Sequence, residues 1–98
     1  MEAAFFNIKE NSWLAKIAAK QLRTGSVAMV LGNTIHLYNT SKEEFLQNKT
    51  WLRHELCHIQ QFRQHGLVGF IVKYVWESIK KGYYNNKFEV EARKAEGS

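Results

Sequence analysis

His54-Glu55-Leu56-Cys57-His58 sets two imidazoles at i and i+4, with a carboxylate directly after the first. On a helix, such positions lie on one face, one above the other. Two ring nitrogens on one face can bind a single Zn²⁺, and the Glu then stands beside the open position of the metal. The chemistry that follows is metal-assisted hydrolysis, with the Glu accepting a proton from an attacking water.

The element that must carry these residues is a helix over residues 50–65, a stretch without Pro or Gly that Gly66 stops. At about 100° per residue, Trp51, Phe62, Ile59, Leu52 and Leu56 fall in one apolar sector, with Arg53, Gln60 and Gln64 opposite. His54 and His58 lie together at the sector's border, and Glu55 falls inside it between Phe62 and Ile59. A bare carboxylate on a core face is costly unless it is paired or used. It is either a salt bridge at the core edge or a general base facing a metal-activated water. Cys57 points away from the two His and reads as a small packing residue.

A catalytic zinc takes three protein ligands. A third His six residues after the second is absent, because Gln64 stands there and Gln61 occupies the place of the required Gly. His65 is about 10 Å along the helix from His58 and reads as a C-terminal His favoured by the helix dipole. The remaining candidates are acids on later helices: Glu77, Glu89, Glu91 and Glu96. Glu89 is preferred over Glu91, because Ala92 three residues later allows a close approach to the His-bearing helix. Asn86 and Glu89 also fit a reciprocal helix cap.

The chain of 98 residues supports one domain over 1–98, with 45% hydrophobic residues and no Pro. Its lone cysteine excludes an intrachain disulfide, so a reducing cytoplasmic setting is the simplest fit. The N-terminus lacks the basic start and long apolar region of a signal peptide, and the apolar run over 67–76 is too short to span a membrane. The net charge of +5 is scattered; it allows peripheral contact with anionic lipid, and no nucleic-acid motif accompanies it.

Along the chain, Ser12 or Asn11 caps a helix through Leu22 that Gly25 ends. Two strands, 27–31 and 34–38, flank the Gly32-Asn33 turn and form a hairpin with Ile35 and Leu37 on one face. Ser41-Lys42-Glu43-Glu44 is a capping box for a short helix. After the His-bearing helix comes another over about 67–81, stopped by Gly82, then a loop over 83–86 and a last helix over 87–95.

His54-Glu55-x-x-His58-x-x-Gln61, the glycine at 66, an aromatic-rich helix and Tyr84-x-Asn86-x-Phe88-Glu89-x-Glu91-Ala92-Arg93 resemble small bacterial gluzincin-like zinc metallopeptidase domains. The hairpin over 28–36 resembles their strand segment, and the resemblance covers about residues 27–93. It implies a mainly helical α+β zincin-like fold, with a β-hairpin or small sheet on the HExxH helix and a C-terminal Glu-bearing helix. It further implies Zn²⁺ held by His54, His58 and Glu89, with Glu55 as general base acting on a peptide or protein substrate. Gln61, Glu91 and Tyr84 are candidates for orienting the ligands or for stabilising the developing oxyanion, with Tyr83 and His36 as further donors. One departure is Arg93, which stands where larger gluzincins often carry an acid that orients a zinc-binding His. The alternatives are a weakly catalytic or latent zinc-binding domain within a larger assembly, and a metal-free interaction module.

Overall fold

Alternating burial builds the sheet. Ile35 and Leu37 are fully buried, while Thr34, His36 and Tyr38 on the opposite face are half-buried. Their strand β3 (Thr34–Tyr38) pairs antiparallel with β2 (Val27–Leu31), as the hairpin pattern predicts. Gly32 opens the turn with a φ of 66°, a conformation that lacks a steric penalty only without a Cβ. On its other side β3 takes a third strand, β1 (Asn7–Lys9), in parallel. The sheet order is therefore β1-β3-β2, a mixed sheet with β2 on an edge. The computed structural model describes residues 6–97.

Among the described residues, five helices complete a mainly helical α+β fold: α1 (Trp13–Leu22), α2 (Lys42–Gln47), α3 (Lys49–His65), α4 (Leu67–Asn85) and α5 (Lys87–Glu96). Ser12 caps α1 by accepting from the Ala15 amide, and Ser41 and Glu44 form the reciprocal box on α2. Two boundaries differ from expectation. Arg23, not Gly25, closes α1 in the left-handed conformation, with its N–H directed to the Ala19 and Lys20 carbonyls. Gly82 leaves the helical conformation at φ 80°, yet a further helical turn follows over residues 83–85 where a loop was expected.

The core divides into three clusters. Ile35, Leu37, Phe45 and Ile59 join the sheet to α2 and α3. Ala15, Ala19 and Val27 seat α1 on β2. Phe62, Phe70 and Phe88 lock α3, α4 and α5 through edge-on ring contacts. Ala92 is fully buried on α5, which packs closely along α3.

Glu77 ties α4 to α5. Its carboxylate accepts the Lys87 amide at 3.0 Å and lies 3.4 Å from Lys81 Nζ. The backbone amide, then the lysine charges, hold its pKa below the usual carboxylate value. An acid with a depressed folded pKa stabilises above its unfolded pKa, and that contribution is lost as pH falls through the folded one. Glu77→Gln is therefore expected to lower the melting temperature at neutral pH. The deficit should vanish in acid, where thermal unfolding of both proteins followed by circular dichroism would converge.

Candidate metal centre

Helix α3 sets the two imidazoles. Asn48 accepts from the Trp51 amide at its start, and the chain runs without interruption to Gly66. His54 and His58, one turn apart, have ring centroids 5.0 Å from each other. Each ring has one nitrogen tied off. His54 Nδ1 lies 2.6 Å from Glu96 Oε2, and His58 Nδ1 lies 2.8 Å from Gln61 Oε1. Both Nε2 atoms face the same carboxylate, at 3.0 Å from Glu89 Oε1 for His54 and 3.2 Å from Glu89 Oε2 for His58.

Helix α5 delivers that carboxylate. Asn86, fully buried, accepts from the Phe88 amide and donates to the Tyr74 carbonyl and Ser78 Oγ. The expected reciprocal cap is only half made: the Asn86 amide donates to the Tyr83 carbonyl rather than to Glu89, and the Glu77 carboxylate accepts the next amide, that of Lys87. Glu89 is left to turn inward, where the Tyr74 hydroxyl also donates to Oε2.

Charge and burial compete here. Burial alone would raise the Glu89 pKa, but hydrogen bonds from His54 and His58 outweigh it and hold the carboxyl far below the usual range. Burial alone would lower the His54 pKa; its bonds to Glu89 and Glu96 and the Glu55 charge instead raise it to about 9. Glu55 is 4% exposed, and burial raises its pKa to about 7 against the opposing charges of His58 and His54. It lines the same cavity as the imidazoles.

The supporting groups form a chain on the outer side. Gln61 Nε2 donates to Glu91 Oε1 at 2.6 Å and to the Phe88 carbonyl at 3.1 Å, which fixes the amide that holds His58. Glu91 thus reaches the site through Gln61. Glu96 takes the place beside His54 that Arg93 cannot fill. It follows Glu89 by seven residues, two helical turns, and so shares its face.

Tyr84 does not face the cluster. Its ring packs on the Arg93 guanidinium, 3.9 Å from carbon to centroid, while the neighbouring Tyr83 lines the cavity. Burial, then the Glu89 and Glu55 charges, raise the Tyr83 pKa to about 12, so its hydroxyl keeps its proton. His36 is also elsewhere, with Nδ1 2.8 Å from the capping Ser12. His65 stacks on Phe70 and meets Phe88 edge-on. Burial, with the Glu91 charge, raises the Cys57 thiol to about 11, and Gln61 Nε2 lies 3.6 Å from its sulfur. That is the behaviour of a packed thiol rather than a metal ligand.

The donor set fits a metal ion. One ligand atom from each of His54, His58 and Glu89 can be chosen so that all lie within 4.8 Å of one another. Ligand atoms around a tetrahedral zinc stand about 3.3 Å apart, given bonds of about 2.0–2.1 Å. A cavity of about 480 Å³ adjoins the cluster, bounded by β2, α1, α3 and α4 and lined mostly by apolar side chains such as Met29, Val30 and Phe70. The chain matches no family model, no curated protein and no solved structure.

Proposed function

We propose that this chain is a zinc-dependent peptide hydrolase. The observation that supports the reading is the convergence of His54 Nε2, His58 Nε2 and the Glu89 carboxylate beside a cavity that Glu55 also lines. These three residues would hold the ion, with both Nδ1 atoms anchored by Glu96 and Gln61. Bound zinc supplies Lewis acidity, bringing the pKa of a water to about 7 and polarising a carbonyl oxygen.

The remaining work belongs to the chain. Glu55 accepts the proton of the attacking water and passes it to the leaving amine nitrogen. The protonated Tyr83 hydroxyl donates to the carbonyl oxygen as it gains negative charge. Strand β2 is on the sheet edge and its residues line the cavity, so an extended peptide can add alongside it through main-chain hydrogen bonds. The cavity volume favours this reading over a zinc-binding domain without room for substrate.

Elemental analysis of purified protein should find about one zinc per chain. His54→Ala and His58→Ala should each lose it and melt at lower temperature than the zinc-loaded parent, because an ion bound only to the folded state stabilises that state. Hydrolysis of a quenched fluorescent peptide mixture should stop on chelation and return with zinc. Unchanged zinc content in both variants would overturn the assignment of the site. A full zinc complement without peptide turnover would leave a metal-binding domain that does not hydrolyse peptides.

A further inference from the structure

Helix α4 is amphipathic in an inverted sense. Its inward side carries Phe70, Tyr74 and the buried Glu77, while its outer side is apolar. Val68 and Ile79 are each 71% exposed, Val72 61% and Trp76 58%. At about 100° per residue these four, with Ile71 and Val75, form one continuous stripe. Across the cavity mouth, α1 contributes the exposed Leu22, which on its wheel stands about 140–180° from the exposed Trp13 and Ile17. Leu22, Leu31, Ile71 and Val75 are at once exposed and part of the cavity lining, so the cavity opens onto this apolar face.

The charges beside the face are of one sign. Lys73 and Lys80 border Trp76 on the α4 wheel. The one acid in α4 is Glu77, which is buried and turned to Lys80, Lys81 and the Lys87 amide. A second copy of the chain would bring lysines against lysines. A negatively charged surface with an apolar interior complements both features, and Trp beside Lys on an apolar helix face is the composition of helices that lie in a membrane interface. No helix among the described residues is long and apolar enough to cross a membrane, so the contact is in-plane.

We propose that the outer face of α4 docks on an anionic lipid bilayer, with α4 lying in the interface and the cavity opening toward it. The contact uses side chains outside the His–His–Glu cluster and therefore stands whether or not a metal is bound.

Co-sedimentation of the full chain with vesicles of phosphatidylcholine, alone or mixed with phosphatidylglycerol, tests this. Binding is expected to the mixed vesicles, with little to phosphatidylcholine alone and a steep loss on adding salt. Lys73→Ala and Lys80→Ala should each weaken it about fivefold. The double variant Val72→Glu/Ile79→Glu changes only exposed positions and should weaken it about tenfold or more while keeping the parent's circular dichroism. Equal partitioning into both vesicle types, or binding that the double variant leaves unchanged, would overturn the proposal. So would concentration-dependent self-association that the double variant abolishes, without vesicle binding, since the face would then belong to a second copy.

Discussion

Glu89→Ala is expected to abolish tight zinc binding, and Glu91→Ala to keep it. Two residues apart on a helix point about 200° apart, so only one of these acids can face the imidazoles. The Glu89 oxygens lie 3.0 and 3.2 Å from the two Nε2 atoms, whereas Glu91 meets the Gln61 amide at 2.6 Å. Losing Glu91 removes one of the two acceptors that hold the Gln61 amide and loosens His58, an indirect effect of about tenfold in affinity. Glu96→Ala removes the acid at His54 Nδ1 and should weaken zinc by about 10–100-fold. Glu89→Ala should still fold, because Asn86 and Glu77 hold the start of α5 without it. Chelator competition on the three variants measures these affinities, with Glu89→Gln as the isosteric control. A large loss in Glu91→Ala beside normal affinity in Glu89→Ala would reverse the assignment. Normal affinity in both would remove Glu89 and Glu91 from the ligand set.

What the sequence made legible was local. The helical spacing of His54 and His58, the capping box at Ser41, the hairpin about Gly32-Asn33 and the inward pair Ile35 and Leu37 follow from periods of 3.6 and 2 and from turn chemistry. Among the four late acids Glu89 could be preferred over Glu91 as a ligand, but the tasks of the others could not be assigned, because they depend on how α4 and α5 cross α3. Glu77 serves the α5 backbone, Glu89 the imidazoles, Glu91 the Gln61 amide and Glu96 the His54 ring. Of these, the Glu96 position carried a usable signal, since a seven-residue step from Glu89 returns to the same helix face where a four-residue step meets Arg93. Tyr83 and Tyr84 could not be told apart in the sequence; beyond the non-helical backbone at Gly82, Tyr83 lines the cavity and Tyr84 packs on Arg93. Strand β1 left no pattern to read: three residues, Asn-Ile-Lys, are too few to show alternation, and only pairing with β3 makes them a strand.

Glu55→Gln should separate the metal site from the chemistry. The side chain adjoins both imidazoles yet is absent from the set of converging donor atoms, so the amide variant should bind zinc like the parent. It cannot accept a proton from water, and peptide hydrolysis should fall by about 10² or more. The same change removes a carboxylate that is 4% exposed on an otherwise apolar helix face, where burial disfavours the charge. Glu55→Gln is therefore expected to melt at a higher temperature than the parent when both are metal-free. A residue kept only for structure would show the opposite, with lower stability and no selective loss of turnover. Zinc content, melting temperature and kcat measured together distinguish the cases. Parent-like turnover in Glu55→Gln would exclude Glu55 as the base. Loss of zinc together with turnover would make the residue part of the metal's support rather than the acceptor of the proton.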